Sequence, residues 1–451
     1  MRINRNIFRE YDIRGIYEKD LKGDVSYFIG KGIGSYLIRK NLKTVSVGGD
    51  NRLTTPEIKE KLIKGLIDSG CQVIDIGIVP TPILYFSVHF YQYDSGVMVT
   101  ASHNPPEFNG FKIILKNGSL YGKEIQKIAE LIEKEDFEKG NGKIEKKEDI
   151  VEKYINFMVN KFKFNKKFKV GIDTGNGTVG PIIEQLFKKV GINFIGLYLE
   201  SDGNFPNHLP DPVVPENLKE LIEIVKNNEL ECGLGFDGDG DRLGVVDDKG
   251  NILWGDQLMI LFSREILEKY RGAKIIFDVK CSKALEEEIL KMGGIPIMWK
   301  TGHSLIENKL HEEKSPIAGE LSGHIYFADE YFGYDDAIYT SLRLLRIIEK
   351  ENKNLSELFK DVKRYFSTPE IRIEVSDEKK FDIVEKVKNF YSTKKYKIND
   401  IDGVKVYYPS GWALLRASNT QPALVVRIEG ETEEELKNIK KEFFEVIEKY
   451  K

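Results

Sequence analysis

The sequence predicts an α/β protein in which three related α/β domains in tandem precede a smaller α+β domain. At 451 residues the chain is too long for a single hydrophobic core. Segments 44–52, 168–180 and 273–285 share one pattern, in which an apolar run reaches an aspartate, passes through a short polar loop and continues as an amphipathic stretch. From about residue 366 the pattern changes to strands that follow one another.

The three repeated segments predict strand, loop and helix in that order. Their apolar runs end at Asp50, Asp173 and Asp278, roughly one domain apart. Short apolar runs that alternate with helix-period segments such as KEIQKIAELIEK and ALEEEILKM are typical of sheets covered by helices. Because ligands bind at the carboxyl ends of the strands in such sheets, we expect functional residues in these loops.

The C-terminal part predicts an antiparallel sheet. EIRIEV, GVKVYYP, WALLRAS and ALVVRIEG follow one another with few intervening helices, and a charged helix, ETEEELKNIKKEFFEVIEKY, ends the chain. The predicted domain boundaries are 1–147, 148–251, 252–365 and 366–451.

Composition excludes several classes of function. The net charge of -4 is spread over the chain without a basic block, which argues against a nucleic-acid partner. No run of about 20 uncharged apolar residues could span a bilayer, and the first residues lack the apolar region of a signal peptide. Cys71, Cys232 and Cys281 are far apart and suit reduced core thiols. We therefore expect a cytoplasmic protein that does not bind membranes.

The strongest local signal is the segment GFDGDGDR, residues 235–242. Asp237, Asp239 and Asp241 alternate with glycines that permit a tight curl, so three carboxylates can converge on one hard cation such as Mg²⁺ or Ca²⁺. An EF-hand is excluded because Arg242 stands where that loop needs glycine. A solvated acidic turn is the alternative.

The segment GVMVTASHNPPEFNGFK, residues 96–112, ends an apolar run in small polar residues and two prolines. Ser102 could carry a phosphoryl group beside the acidic loop, with Lys112 as a nearby cation. An ordinary capped turn is the alternative. A hydrolase-like pair of Ser102 and His103 is not expected, because adjacent side chains of an extended chain point to opposite sides.

Further polar loops suit phosphate and sugar binding. RASNTQP, residues 416–422, joins one guanidinium to hydroxyl and amide donors that could wrap a phosphate, although a plain turn is a serious alternative. GELSGH, residues 319–324, has the density of polar groups that a polyhydroxylated ligand requires. His303 in KTGHS could be structural, and Lys280 lies at a strand end.

Together these motifs resemble the phosphohexomutase superfamily, in particular its phosphomannomutase/phosphoglucomutase branch. The resemblance covers essentially the whole chain, and the motifs occur in the family's order: FREYDIRG (8–15), TASHNP with NGFK, DGDGDR, GELSGH and RASNTQP. It implies four domains around a central cleft, of which the last is TATA-binding-protein-like.

The resemblance also implies residue roles. Ser102 would be the phosphoserine, and Mg²⁺ would be held by Ser102, Asp237, Asp239 and Asp241. Arg14 and Arg242 would lie near the phosphoryl group, and Lys112 and His324 are both candidates for proton transfer. Substrate contacts would come from Tyr11, Lys280, His303, Glu320, Ser322, Arg416, Ser418, Asn419 and Thr420.

The activity implied is the interconversion of hexose 1-phosphate and hexose 6-phosphate, with mannose or glucose as the sugar. Hexose 1,6-bisphosphate would serve as intermediate and activator. A phosphoglucosamine mutase is the main alternative, followed by a metal-dependent phosphatase and a phosphosugar-binding protein. We expect a phosphosugar partner and either a monomer or a homo-oligomer.

Overall fold

The computed structural model describes residues 3–394, 396–419 and 422–451. These described residues form four sheets in chain order. Each sheet with its helices is referred to below as the first, second, third or fourth unit.

The first unit contains a mixed sheet. Its strands are β1 (Ile13–Ile16), β2 (Thr44–Gly49), β3 (Gln72–Ile78), β4 (Ser95–Val99), β5 (Phe108–Leu115), β6 (Gly118–Ser119) and β7 (Lys143–Lys146). The strand order is β1-β5-β4-β2-β3-β7; β2 is parallel to β3 and β4, and β5 is antiparallel to β1 and β4. Its helices are α1 (Val25–Arg39), α2 (Thr55–Asp68), α3 (Thr81–Phe90) and α4 (Lys123–Glu133).

The second unit repeats the mixed design. It contains α5 (Ile150–Lys161), β8 (Lys169–Asp173), α6 (Gly180–Val190), β9 (Asn193–Leu197), α7 (Lys219–Asn227), β10 (Cys232–Phe236), β11 (Leu243–Asp247) and β12 (Ile252–Leu253). The order is β12-β11-β10-β8-β9, with β8 parallel to β9 and β10, and β11 antiparallel to β10. β12 lies just beyond the predicted boundary at residue 251, and the domain boundaries stay a prediction.

The third unit has the same alternation. It contains α8 (Gly255–Lys269), β13 (Lys274–Asp278), α9 (Lys283–Lys291), β14 (Ile295–Trp299), α10 (His303–Glu313), β15 (Ile317–Gly319), β16 (Ile325–Phe327) and α11 (Ala337–Glu351). β13 is parallel to β14 and β15, and β16 is antiparallel to β15.

The fourth unit is an antiparallel sheet with two helices packed against it. It contains β17 (Phe366–Ser367), β18 (Ile371–Glu374), α12 (Asp377–Thr393), β19 (Lys397–Asn399), β20 (Val404–Tyr408), β21 (Gly411–Ala417), β22 (Ala423–Gly430) and α13 (Glu433–Tyr450). The predicted fold class, three α/β units with mixed sheets and a C-terminal α+β unit, is confirmed.

Apolar packing divides the molecule unevenly. One core cluster contains Phe86, Phe187 and Phe262, so it runs through the first three units. The fourth unit has its own core around Phe443 and contacts the third through a small cluster that includes Trp412. No helix within the described ranges is long and apolar enough to cross a membrane.

Candidate active site

The acidic loop connects β10 to β11 and folds around one carboxylate. Oδ1 of Asp237 accepts three backbone N–H groups, those of Gly240 (3.0 Å), Asp241 (3.0 Å) and Arg242 (3.1 Å). Gly240 has a φ of +80°, which lets the chain reverse within these few residues. Consequently the side chains of Asp237, Asp239 and Asp241 are buried, and each offers an oxygen within 4.8 Å of the others.

The acidic loop fits a hard divalent cation. Oδ1 of Asp239 and Oδ1 of Asp241 are buried and have no hydrogen-bond partner in the described part of the chain. A buried carboxylate oxygen without a partner is costly, and several carboxylate oxygens at one point suit Mg²⁺. Burial, with the charges of its two neighbours, raises the pKa of Asp237 well above its ordinary value, as expected for crowded carboxylates.

Ser102 lies directly against this loop. It follows β4 in the turn of residues 100–108, called the serine turn below, which ends on the first residue of β5. Ser102 has a φ of +52°, an uncommon conformation for a residue other than glycine. Its Oγ is 2.8 Å from Oδ2 of Asp237, although the two residues are 135 positions apart. The turn also brings Oγ within 3.0 Å of Nδ1 of His103. The expectation that these neighbours point apart is wrong, because the chain is not extended there.

Lys112 enters the acidic loop from the neighbouring strand β5. Its Nζ donates to Oδ2 of Asp239 at 2.7 Å and also to Oδ2 of Asp241. Burial alone would lower the pKa of Lys112, but the carboxylates of Asp239 and Asp241 outweigh it and raise the pKa. Likewise burial would raise the pKa of Asp239, and the Lys112 ammonium holds it below its ordinary value. Lys112 is therefore an ammonium that offsets part of the negative charge.

His324 borders the acidic loop from the third unit. Nε of Arg242 donates to Nε2 of His324 at 2.8 Å, and Nδ1 of His324 is 2.7 Å from a carboxylate oxygen of Asp335. Burial lowers the pKa of His324 to about 4. In the first unit, Nη1 of Arg14 donates to Oδ1 of Asn104 in the serine turn at 2.9 Å. Both predicted arginines therefore lie beside Ser102 and the acidic loop.

The predicted sugar-binding residues line the third unit near His324. Oε1 of Glu320 accepts the backbone N–H of Gly302 at 2.7 Å, and burial raises the pKa of Glu320. Ser322 is partly exposed in the same loop, and the ring of His303 lies 5.7 Å from that of His324. Nζ of Lys280, also in the third unit, lies 3.3 Å from a carboxylate oxygen of Glu370.

The predicted phosphate-binding loop of the fourth unit faces the first and third units. Nδ2 of Asn419 donates to the hydroxyl of Tyr11 at 2.5 Å, and that hydroxyl donates to the carbonyl of Thr301 at 2.7 Å. Nε of Arg416 donates to Oδ2 of Asp402 at 2.8 Å. Ser418 is buried in this loop, with its backbone N–H bonded to the carbonyl of Ala423. Thr420 lies outside the described residues.

Two contacts of the site come from residues that sequence reasoning missed. Oγ1 of Thr81, at the start of α3, donates to Oδ2 of Asp239 at 2.6 Å. The Thr-Pro pair after strand β3 signals a helix start at the carboxyl edge of the sheet, and could have identified Thr81. Asp335, the partner of His324, follows no such pattern.

The fold and the site together define a class of protein. The carboxyl ends of the parallel strands carry a serine hydroxyl beside converging carboxylates, with arginine and lysine side chains around them. Such an arrangement suits phosphoryl transfer, which depends on positioning and charge neutralisation more than on covalent help. The class is therefore a multidomain phosphoryl-transferring enzyme.

Comparison with known families makes the assignment specific. Residues 5–139, 152–250 and 254–365 match the families described as "Phosphoglucomutase/phosphomannomutase, alpha/beta/alpha" domains I, II and III. Residues 370–446 match the C-terminal domain of the same family. The chain belongs to the phosphoglucomutase/phosphomannomutase family.

Relatives and solved structures agree with this family. The chain is 47% identical over 438 residues to a phosphomannomutase/phosphoglucomutase of Pseudomonas aeruginosa, covering 97% of this chain and 94% of that one. It is 41% identical over 452 residues to a phosphoglucomutase of Neisseria gonorrhoeae, covering 99% and 97%. A crystal structure of a phosphoglucomutase/phosphomannomutase family protein from Burkholderia thailandensis superposes with a TM-score of 0.93 at 39% identity, covering 100% and 98%.

Proposed function

We infer that this chain is a phosphohexomutase, an isomerase that interconverts hexose 1-phosphates and hexose 6-phosphates, and that Ser102 carries the transferred phosphoryl group. The family and the names of its relatives support the interconversion. The observation that carries the assignment of Ser102 is its contact with Asp237, 2.8 Å between Oγ and Oδ2. A phosphoryl group at this position would add about two negative charges beside the acidic loop.

Asp237, Asp239, Asp241 and the phosphoryl group on Ser102 would together hold Mg²⁺. The two carboxylate oxygens without partners, on Asp239 and Asp241, support this ligand set. The cation would supply neutralisation of the charge on the phosphoryl oxygens.

Basic side chains of the protein supply the rest of the neutralisation. Arg14, bonded to Asn104 of the serine turn, and Arg242, at the end of the acidic loop, would act on the phosphoryl oxygens. Lys112 balances the carboxylates of Asp239 and Asp241, because its ammonium already makes an ion pair with each. His324 and Lys112 both stay candidates for moving the sugar hydroxyl proton. Nε2 of His324 accepts the Nε–H of Arg242, so Arg242 would have to turn toward the phosphoryl oxygens before that nitrogen could take a proton.

The other end of the substrate is held by the third and fourth units. We assign Glu320 and Ser322 to the sugar hydroxyls, with Lys280, His303 and Tyr11 as further contacts. The phosphate that does not react is assigned to Arg416, Ser418, Asn419 and Thr420. Support comes from the way Tyr11 joins Thr301 to Asn419 across three units.

The reaction conserves its phosphoryl groups. The free sugar hydroxyl attacks the phosphorus on Ser102 and its proton leaves to a base. The bond from phosphorus to Oγ of Ser102 breaks, and Oγ keeps the electron pair and regains a proton. The product is hexose 1,6-bisphosphate. It would rotate within the cleft so that its other phosphoryl group faces Ser102, and it would return that group to Ser102. Added hexose 1,6-bisphosphate would therefore restore the phosphorylated state, which explains its role as activator.

The alternative substrates and the alternative functions differ in the products they would give. The names of the relatives favour mannose and glucose over glucosamine. A phosphatase would release inorganic phosphate, and a binding protein would need no phosphoserine. The cytoplasmic location and the choice between monomer and homo-oligomer stay predictions.

A coupled assay with Mg²⁺ and trace hexose 1,6-bisphosphate tests the activity on mannose, glucose and glucosamine 1-phosphates. We expect turnover of mannose or glucose 1-phosphate to the 6-phosphate without phosphate release. Turnover of glucosamine 1-phosphate alone would reverse the order of substrates.

Labelling tests whether Ser102 carries the transferred phosphoryl group. With labelled bisphosphate, the protein should carry label on the peptide that contains Ser102, and Ser102→Ala should remove the label and lower turnover by at least about 10³-fold. Label that persists in Ser102→Ala on another residue would reassign the nucleophile.

A further inference from the structure

Arg52 is a buried arginine that follows β2 at the end of the first repeated segment, residues 44–52, and the proposed reaction does not use it. Its side chain has no solvent exposure, and its Nε donates to Oδ2 of Asp50 at 3.0 Å. The other N–H groups donate to backbone carbonyls of the serine turn: Nη1 to Pro105 (2.6 Å) and Phe108 (3.1 Å), Nη2 to Ser102 (2.7 Å) and Asn104 (2.6 Å).

The guanidinium is saturated by these contacts. Arginine has five N–H donors in a rigid plane, and all five are used by one carboxylate and four carbonyls. Arg52 therefore differs from Arg14 and Arg242, which lie beside the reacting groups: it has no donor left for a phosphate. Its effect on the reaction has to pass through the backbone of the serine turn.

The sequence of the turn explains why it needs such a partner. Pro105 and Pro106 have no backbone N–H, so the turn has few donors for its own carbonyls. Buried carbonyls without donors are costly. One planar cation at the centre of the turn reaches four carbonyls at once, of which that of Pro105 also accepts the backbone N–H of Phe108.

Contacts outside the serine turn fix the position of Arg52. Oδ1 of Asp50 accepts the backbone N–H of Arg52 at 3.1 Å and the hydroxyl of Thr55 at 2.7 Å. The ring of Phe205, from the second unit, lies 5.2 Å from the guanidinium carbon. The cation is thus fixed to the end of β2 and covered by the unit that carries the acidic loop.

We propose that Arg52 is a positioning residue for phosphoryl transfer, which draws the carbonyl of Ser102 inward and so directs its Oγ toward Asp237. This inference rests on the proposed role of Ser102. The left-handed backbone of Ser102 is strained for a residue other than glycine, so it persists only where its surroundings impose it. The contact from Nη2 of Arg52 to the carbonyl of Ser102 acts on that same residue.

The test is single-turnover transfer in Arg52→Lys. The variant and the parent protein are loaded with labelled phosphate from hexose 1,6-bisphosphate and mixed with glucose 1-phosphate and Mg²⁺ in a rapid-quench experiment. A lysine ammonium has three donors on one atom and cannot reach carbonyls on both sides. We expect the transfer rate constant to fall about 100-fold, with KM for glucose 1-phosphate changed less than about threefold.

The transfer rate constant distinguishes a positioning defect from a folding defect. A folding defect lowers the amplitude, which is the fraction of protein that carries label, and leaves the rate constant of that fraction unchanged. Arg343→Lys is the matched control, since Arg343 is equally buried and bonded to Glu265 and Asp329 in the third unit. It should lower thermal stability and leave the transfer rate constant within about twofold of the parent.

A milder variant covers the case in which Arg52→Lys does not fold. Asp50→Asn keeps the guanidinium but removes the charge that fixes Nε, and should lower the rate constant about tenfold. An unchanged rate constant in the folded Arg52 or Asp50 variant, or an equal loss in Arg343→Lys, overturns the role of Arg52. Absence of label on Ser102 in the parent protein would instead overturn the assignment of Ser102, and this inference with it.

Discussion

The proposed reacting end of the site, around Ser102 and the acidic loop, and its proposed holding end, around Asn419 in the fourth unit, are built differently. At the reacting end, Ser102, Lys112 and Asp237 lie between units that share one continuous apolar core. At the holding end, Asn419 belongs to a unit with its own core, and it meets the rest of the cleft through polar contacts such as that to Tyr11.

The two ends meet different requirements of the proposed reaction. Phosphoryl transfer requires groups that are already in place, since misplacement by about 1 Å can cost 10²-fold in rate. Turning the proposed bisphosphate around requires a clamp that can release and rebind. The contact of Asn419 with Tyr11 is polar and can break without exposing the core around Phe443, while the small apolar cluster of Trp412 still joins the fourth unit to the third. Substitutions at the reacting end should therefore lower kcat, and substitutions at the holding end should raise KM.

The largest effect is expected for Asp237→Asn. The amide oxygen can still accept the three backbone N–H groups of the acidic loop, so the loop should keep its shape. The amide NH₂ replaces the oxygen that faces Ser102, and the site loses one charged ligand. We expect kcat to fall about 10²- to 10³-fold, with a higher Mg²⁺ concentration for half-maximal activity.

The control for this variant is Asp382→Asn, on the exposed face of α12. It should leave kcat and the Mg²⁺ requirement unchanged. If Asp237→Asn kept the kcat of the parent protein, the acidic loop would not be the metal site and the contrast between the two ends would fail.

A smaller effect is expected for Tyr11→Phe at the holding end. The change removes the hydroxyl that joins the carbonyl of Thr301 to Nδ2 of Asn419. One such link is worth about 1 kcal/mol, so KM for glucose 1-phosphate should rise about fivefold while kcat stays within about twofold. Steady-state kinetics measures kcat and KM. Tyr91→Phe is the control, because the hydroxyl of Tyr91 contacts Asp149 away from the cleft. A fall in kcat at constant KM would place Tyr11 at the reacting end instead.

Much of this architecture could be predicted from local pattern. The strands that end at Gly49, Asp173 and Asp278 follow from short apolar runs, and the convergence of three aspartates follows from alternating glycines. The fold class needed only the change of pattern near residue 366.

The features of the site that could not be predicted from the sequence depend on backbone conformation and on contacts between units. The positive φ of Ser102 reverses the usual alternation of side chains and brings His103 to the same side. The inward carbonyls that make Arg52 useful have no sequence signature. The contact between Tyr11 and Asn419 joins residues 408 positions apart and exists only once the units have assembled.

The smallest effect concerns a buried contact that belongs to neither end. Oε2 of Glu307, on α10 of the third unit, accepts the backbone N–H of Ser119 at 3.0 Å and its hydroxyl at 2.5 Å. Oε1 is buried and has no hydrogen-bond partner in the described residues. Burial raises the pKa of Glu307 from 4.5 to about 8.

The sign of the pH effect follows from this pKa. Between pH 4.5 and about 8 the folded protein binds a proton at Glu307 that the unfolded chain releases. Stability should therefore decline as pH rises through that interval. Glu307→Gln imitates the protonated carboxyl at every pH, so the apparent Tm of the variant should exceed that of the parent by about 3–6 °C at pH 8 and match it near pH 5.

Thermal unfolding at both pH values measures this difference, and Glu312→Gln, exposed on the same helix, serves as control. Glu307 makes its hydrogen bonds to Ser119, and none joins it to the described residues of the serine turn or the fourth unit. We therefore expect kcat and KM to stay at parental values across the same pH range. A lower Tm for Glu307→Gln at pH 8 would show that the carboxylate is ionised in the folded protein. A change in KM would show that the contact between the first and third units is coupled to the holding end.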